Sequence, residues 1–250
     1  MSRHSKWAKI KRQKTVTDVH RGQIFTKLSR AITVAAREGG GDPATNVRLR
    51  IALDRALAEN MPKENTQRAI ERAVGTDADR ATESLTLEGY GPGGTALIIE
   101  AVTDNHNRTV GEIRRLLLDA GGSLGGAGST QWMFDRRGRL LFEHPQNQGA
   151  VELAAIDAGA LDVSRDGAAV EILTPPETLH TIADTMVHMG YRPDVTEITL
   201  VPHSPVILPS PEEDRLQTLL ENLEDHADVV DVTTNAVPLS PGTAHADSRH

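Results

Sequence analysis

The first fourteen residues carry side chains suited to binding a polyanion. After Met1 the chain reads SRHSKWAKIKRQK, with six basic residues, one tryptophan and no acid. Lysine and arginine neutralise phosphates, and a tryptophan ring stacks on a nucleobase or packs beneath a neighbouring domain. The run predicts nucleic-acid contacts at Arg3, Lys6, Trp7, Lys9, Lys11, Arg12 and Lys14.

The charge of the chain is divided unevenly along its length. The 250 residues include 27 Lys and Arg against 35 Asp and Glu, a formal net charge of −8. Residues 1–37 hold ten basic side chains and one acid, a local charge of +9, so the remainder carries −17. Because salt screens exposed charges over about 8–10 Å, a polyanion near the amino terminus is attracted by the local excess. Net acidity therefore does not exclude nucleic acid as a partner.

A helix predicted from Asp18 to Glu38 continues this basic surface. Apolar residues recur in it at steps of three and four, which makes one apolar stripe. Its other faces carry Arg21, Lys27 and Arg30, which complete the predicted nucleic-acid-binding set. A charged run is ordinarily a flexible solvated tail, but the tryptophan within this run and the helix of the same sign behind it favour polyanion binding.

Two more helices are predicted before residue 75. Leucines four residues apart mark the second helix, from Leu49 to Leu57, and the third begins at Pro62 and ends at Val74. Residues 1–75 are therefore predicted to form a small helical domain, followed by a polar linker.

Beyond the linker, strand and helix patterns alternate. Thr109 and Glu112 form a capping-box pattern, which predicts the start of a helix that runs to Gly121. Hairpin turns are predicted at GPGG (91–94), at Arg136-Arg137-Gly138 and at Asp166-Gly167. Further helices are predicted over 149–159, 175–189 and 211–226, and strands over 195–202 and 228–234. This mixture predicts an α+β fold, in which two α+β domains with antiparallel sheets follow the helical one.

Several stretches imitate catalytic or metal-binding motifs. Residues 121–125 match G-x-S-x-G, but a nucleophile elbow needs a strand before Ser123 and a helix after it, and the order here is helix, loop, strand. GYGPGGT lacks the Lys-Ser/Thr ending of a phosphate-binding loop, and the ten histidines include no HExxH pair. No catalytic residue, metal site or cofactor is predicted. The glycines indicate a mobile loop, or a place where backbone approaches a partner closely.

The composition also bears on the compartment. The chain contains no cysteine, so disulfides and thiolate metal sites are excluded. No apolar run approaches the roughly 20 residues that cross a bilayer, so no membrane partner is expected. We expect a cytoplasmic protein, with an organellar presequence as the alternative interpretation of the basic amino terminus.

Eight segments together resemble one known family. They are HSKWAKIK, GQIFTKLSRAI, AAREGGGDP, NVRLRIALDRA, NMPKENTQRAI, LEGYGPGGTALIIE, TDNHNRTVGEIR and GGSLGGAGSTQWMF. In this order they are similar to the YebC/PmpR family, which includes the mitochondrial translational activator of cytochrome c oxidase subunit one. The resemblance extends from His4 to about Val232. Arg3, where many relatives have glycine, and the extended carboxyl-terminal tail depart from it.

The resemblance implies a cytoplasmic protein of three domains that is not an enzyme. The implied domains are a helical one at 1–75, a discontinuous middle α+β domain at 82–128 and 205–236, and an inserted α+β domain at 129–204. Residues 237–250, rich in Pro, Ser, Gly and Ala, are predicted to form a disordered tail.

The family implies two functions of different classes. One is binding of ribosomal RNA on the ribosome to help translation, including through proline-rich stretches, and the other is regulation of transcription at promoter DNA. A DNA reader needs a recognition helix in the major groove, and the candidate is the third helix. That helix offers Lys63, Asn65, Gln67, Arg68 and Arg72 but also Glu64 and Glu71. Because the positive excess lies on the first 37 residues instead, the interpretation favours structured RNA, with DNA regulation as the alternative.

Overall fold

The computed structural model describes residues 18–74 and 82–237, with side chains described from Arg21 to Ala73 and from Thr82 to Val237. Three helices come first, α1 (Asp18–Gly39), α2 (Val47–Ala58) and α3 (Lys63–Val74), and we call them the helical region. The later elements, in chain order, are β1 (Glu83–Tyr90), β2 (Ala96–Thr103), α4 (His106–Asp119), β3 (Ser123–Leu124), β4 (Phe134–Phe142), α5 (Gln148–Asp157), β5 (Asp162–Asp166), β6 (Ala169–Thr174), α6 (Leu179–His188), β7 (Val195–Pro202), β8 (Val206–Ile207), α7 (Ser210–Asp225), β9 (Val229–Thr234) and β10 (Ala236–Val237).

The helical region has a core of its own. Leu28 and Ile32 of the predicted stripe on α1 are buried against Leu49 of α2 and Ala69 of α3. The stripe is therefore confirmed, whereas Leu57, assigned to the apolar face of α2, is 74% exposed, because Ala56 faces the core instead.

One asparagine joins the first two helices. The Asn46 side-chain oxygen accepts from the Leu49 N–H at 3.1 Å and caps α2. Its amide nitrogen donates to the carbonyls of Ala35 and Gly40, each at 2.7 Å. Gly39 leaves room for this side chain, since a Cβ there would lie 2.7 Å from Asn46. This buried side chain thus ties the turn to both helices.

Two four-stranded antiparallel sheets follow the helical region. The first sheet has the order β3-β1-β2-β9, and the second has the order β5-β6-β4-β7. Helices α4 and α7 pack on one face of the first sheet, around Leu97, Ile113 and Leu216. Helices α5 and α6 pack on the second, around Ile172 and Met186. The predicted α+β class is confirmed.

The other faces of the sheets meet each other and the helical region. Ile98 of β2 and Phe134 of β4 are buried in one small cluster with Leu200 of β7 packed against it. Helix α1 contacts β1, β2 and β9, while α2 contacts β7. Because β9, which follows the second sheet in sequence, pairs with β2, the second sheet is inserted in sequence within the first.

Two local predictions are wrong. Helix α4 begins at His106, where Asn105 is the cap and accepts from the Arg108 N–H at 3.1 Å, so Thr109 lies inside the helix. The predicted hairpin at residues 136–138 is a continuous strand, β4, paired with β6 and β7. Gly138 marks a close approach rather than a turn, because a Cβ there would lie 2.3 Å from the Thr174 hydroxyl.

The end of the chain is only partly described. Val237, predicted as the first residue of the tail, is buried in β10, which pairs in parallel with β8. The rest of the predicted tail, 238–250, lies outside the described residues.

Candidate nucleic-acid interface

The structure describes three of the ten predicted nucleic-acid contacts. Those from Arg3 to Lys14 lie outside the described residues. Arg21 is exposed near the start of α1 and has no ion-pair partner within 18–74 or 82–237. The Lys27 ammonium donates to the Glu224 carbonyl, and the Arg30 guanidinium lies 3.4 Å from Asp228. The positive charge of α1 is therefore split between solvent and the acidic carboxyl-terminal segment.

Helix α3 presents further cations to solvent. Lys63, Arg68 and Arg72 are exposed, and none of them has an ion pair with another described residue. Glu64 and Glu71 share this exposed surface. The side chains named for DNA recognition therefore lie at the surface, with acids interspersed among the cations.

A buried carboxylate, Asp228, receives the arginine from α1. The side chain is 5% exposed, and Arg108 donates to it at 2.7 Å. The hydroxyls of Thr103 and Thr109 lie 3.3 and 2.7 Å from its Oδ2 atom. We call Asp228 with Arg30, Thr103, Arg108 and Thr109 the Asp228 cluster. Burial acts to raise the pKa of Asp228, but the bonds from Thr109 and Arg108 outweigh it and hold the pKa below its usual value.

Helix α2 has adjacent charged residues directed at different parts of the fold. Arg55 pairs with Glu100 of β2 at 2.5 Å and with Asp231 of β9 at 3.2 Å. Burial opposes its charge, but these two carboxylates raise the pKa of Arg55 above its usual value. Asp54 lies 3.8 Å from His180 of α6, and its buried Oδ2 atom accepts no hydrogen bond from the described residues. Burial raises the pKa of Asp54.

A cleft of about 1360 Å³ separates the helical region from the two sheets. Of the arginines that line it, two are each held by two carboxylates that also line it. One is Arg55, and the other is Arg139, which pairs with Glu171 at 2.8 Å and with Glu197 at 2.6 Å. These pairs contain two cations and four acids, so this part of the cleft does not favour a polyanion.

A glycine-rich loop, residues 121–132, is organised by a second buried carboxylate. Glu88 is 5% exposed and accepts from the backbone N–H groups of Gly128, Thr130 and Gln131 at 2.5, 2.6 and 2.8 Å. Burial acts to raise the pKa of Glu88, but these bonds outweigh it and lower the pKa. The loop also lies close to β1, since a Cβ on Gly122 would be 2.2 Å from the Tyr90 carbonyl oxygen.

The same loop presents an aromatic ring to solvent. Trp132 is 69% exposed, and its indole N–H donates to the Ser129 carbonyl at 3.0 Å. The Tyr90 hydroxyl donates to that carbonyl as well, at 2.9 Å. Sequence reasoning placed Trp132 in a hairpin strand and overlooked Glu88. The available signal was a carboxylate in an apolar strand pattern, together with a loop about 40 residues later whose backbone N–H groups needed acceptors.

The described residues offer little for metal chemistry or membrane insertion. No group of three His, Cys, Asp or Glu side chains within 18–74 and 82–237 is arranged to hold a metal ion. Of the helices in the same ranges, none combines the length and apolar character that crossing a bilayer requires. Asp104 and His106, close in sequence, bind the different partners Arg108 and Glu83.

Two family models match the chain in succession. The model for the TACO1/YebC protein N-terminal domain matches residues 5–76, and the model for the TACO1/YebC second and third domain matches residues 82–236. The chain belongs to the TACO1/YebC family. The resemblance of the eight sequence segments is thereby confirmed.

Individual TACO1/YebC relatives cover nearly the whole chain. A protein of Dictyoglomus thermophilum is 45% identical over 231 residues, 92% of this chain and 93% of its own. One from Geotalea uraniireducens is 42% identical over 235 residues, 94% of this chain and 95% of its own. Both carry the name "Probable transcriptional regulatory protein". The crystal structure of a conserved hypothetical protein from Aquifex aeolicus is similar at a TM-score of 0.77 and 34% identity, covering 91% of this chain and 95% of its own.

Proposed function

We propose that this protein is a nucleic-acid-binding regulator of gene expression that acts in the cytoplasm, without cofactor or catalytic activity, as a translation factor on the ribosome. It binds ribosomal RNA and eases elongation, including through proline-rich stretches. Residues 1–75 are the binding domain in this proposal, and the two α+β domains, 82–128 with 205–236 and 129–204, hold it in position.

The charge split carries the proposal. Residues 1–37 have a net charge of +9 against −17 for the rest, so a phosphate backbone is attracted to one end and repelled by the other. Exposed Arg21 on α1 and Lys63 on α3 extend this charge into the helical region. Helix α7, with Glu212 and Glu213 in its first turn, belongs to the repelling part.

Two observations favour transcriptional regulation at promoter DNA as the second candidate. The relatives from Dictyoglomus and Geotalea carry a regulatory name, and α3 exposes Arg68 and Arg72 one turn apart. A sequence-reading helix discriminates by about 1–3 kcal/mol per wrong base pair. Backbone-directed binding does not require that discrimination, and so the two candidates are separable.

Crosslinking in cells, followed by sequencing of the attached nucleic acid, tests the choice. The translation proposal expects ribosomal RNA to dominate. Enrichment of promoter fragments with ribosomal RNA at background level would contradict it and support the DNA candidate.

Salt titration of RNA binding by the full chain tests which basic side chains contact phosphates. Replacing Lys6, Lys9 and Lys11 by glutamine should make the slope of log K against log salt shallower by about 2 to 3, since each lost phosphate contact removes about 0.7–0.9. The matched control replaces Arg114, Arg192 and Arg215, which are exposed cations beyond the helical region. Equal changes for the two triple variants would contradict the charge-split argument.

A further inference from the structure

We propose that the loop 121–132 forms a second RNA contact, in which Trp132 stacks on an unpaired base. This inference rests on the proposed RNA-binding function and adds a site far along the chain from the basic amino terminus. Aromatic stacking suits single-stranded RNA, because every base has a π-face.

The first observation that supports stacking is the exposure of Trp132. The chain is only 3% aromatic, and Phe134 and Phe142 are buried while Tyr90 and Tyr191 are half-buried. Trp132, at 69% exposed, leaves its largest apolar surface in water. Within the described residues no other aromatic side chain is left so open.

The orientation of the ring carries the second step. Its only polar group, the indole N–H, is already bonded to Ser129, so the edge of the ring is satisfied within the protein. What Trp132 offers a partner is therefore the flat face. The Ser129 carbonyl is held in turn by the Tyr90 hydroxyl.

The rigidity of the loop carries the third step. Three backbone N–H groups of the loop are bound to buried Glu88, and the Thr130 hydroxyl lies 3.2 Å from the same carboxylate. A ring presented by a loop with this many internal bonds loses little conformational freedom on binding. The loop is preorganised to display Trp132.

The surroundings of the ring favour a base over a protein surface. Gly126, Ala127 and Gly128 are exposed beside it in sequence, and Gln131 is exposed and polar. Large contiguous apolar patches mark protein interaction sites, whereas one planar ring among small residues matches one base. The small residues also allow a sugar–phosphate backbone to approach without steric obstruction.

Tryptophan fluorescence tests the contact, because the chain has two tryptophans. In the full-length Trp7→Phe variant, emission reports on Trp132 alone, while phenylalanine keeps a stacking ring at position 7. Titration with a single-stranded oligouridine RNA should quench this emission until it saturates. The midpoint of the quenching should equal the Kd measured in parallel by fluorescence anisotropy of the RNA. Unchanged emission at RNA saturation would overturn the stacking contact.

Two substitutions separate stacking from simple apolar contact. Trp132→Leu should weaken RNA binding by about 5- to 150-fold, as expected for the loss of one stacked base, and Trp132→Phe should retain most of the affinity. Thermal unfolding of both variants establishes that each is folded. Equal affinities for the leucine and phenylalanine variants would contradict stacking.

Two controls distinguish the ways of failing. If the full chain binds no RNA in either assay, the proposed RNA-binding function fails with this inference. If it binds RNA through the lysines of the amino terminus while Trp132 variants bind normally, only the inference fails. Quenching of Trp132 by an oligoproline peptide, and not by RNA, would overturn the assignment to a base and indicate a peptide site.

Discussion

Glu88 and Asp228 are both buried carboxylates with lowered pKa values, yet they hold the molecule together in different ways. Each is 5% exposed. The donors to Glu88 all come from residues 128–131, within one loop. The donors to Asp228 come from α1, β2 and α4, which are far apart in sequence. One carboxylate therefore sets the shape of a loop, and the other joins separate elements.

The types of donor also differ. The backbone N–H groups bound to Glu88 cannot reach another acceptor unless the loop changes its conformation. Arg30 and Arg108 at Asp228 keep side chains that are 46% and 43% exposed, so they return readily to water. The stabilisation contributed by Glu88 should therefore be insensitive to salt and should be lost on any substitution. The stabilisation contributed by the Asp228 cluster should decrease gradually with salt and with the severity of the substitution.

Glu88→Ala is expected to have the largest effect. Loss of the carboxylate leaves the N–H groups of Gly128, Thr130 and Gln131 without their acceptor, and the free energy of unfolding should fall by about 3–5 kcal/mol. Urea denaturation measures this, and amide hydrogen exchange should accelerate in the loop. Glu88→Gln should recover little of this loss: its oxygen can still accept from Thr130 and Gln131, but its NH₂ group then faces the Gly128 N–H, a backbone donor that cannot become an acceptor.

The matched control for Glu88 lies on the same strand. Glu83 is exposed at the start of β1, so Glu83→Ala should stay within about 0.5 kcal/mol of the wild type. Comparable losses for the two alanine variants would mean that the loop is not anchored by Glu88.

Asp228→Ala should have a smaller effect, about 2–3 kcal/mol. The buried hydroxyls of Thr103 and Thr109 lose one of their hydrogen-bond partners, while the two arginines become solvated. Asp228→Asn should recover part of the loss, since its oxygen still accepts from a hydroxyl. If asparagine were as harmful as alanine here, the contrast with the backbone-bound Glu88 would disappear.

Acidification should also reduce the stabilisation by Glu88 and Asp228, but by less than the alanine substitutions do. A carboxylate whose folded pKa lies below its unfolded value stabilises the fold above the unfolded pKa, about 4.3 for Glu and 3.9 for Asp. That stability is lost as the pH falls through the folded pKa. Between pH 5 and 2 the free energy of unfolding should therefore fall more steeply with decreasing pH for the wild type than for Glu88→Gln or Asp228→Asn. Parallel profiles would indicate that neither group titrates abnormally.

Arg30→Gln should have the smallest effect, about 0.5 kcal/mol, because its ion pair with Asp228 is partly exposed. A double-mutant cycle with Asp228→Ala isolates the pair, and high salt should remove the coupling. Arg21→Gln is the control on the same helix. A coupling energy that persists in 1 M salt would show that the Arg30–Asp228 pair is as little screened by salt as the bonds to Glu88, and would contradict the contrast between the two carboxylates.

Local patterns predicted much of the secondary structure. The apolar stripe on α1 locates Leu28 and Ile32 in the core, since the period of a helix is a property of consecutive residues. The turn at Asp166-Gly167 joins β5 to β6 as predicted. The error at residues 136–138 came where a distant partner decided the outcome. Gly138 looked like a turn, but it lies in β4 because Thr174 and Leu179 approach it closely.

The candidate site shows the same division. The sequence by itself determined the charge split, because net charge over a segment depends only on composition, and it determined the helix that carries Arg21, Lys27 and Arg30. Only the tertiary structure decided that Lys27 and Arg30 face the segment around Glu224 and Asp228. It also decided that Glu88 fixes the loop bearing Trp132. Those contacts join residues about 40 to 200 positions apart, and no local period or propensity specifies which partners the folded chain brings together.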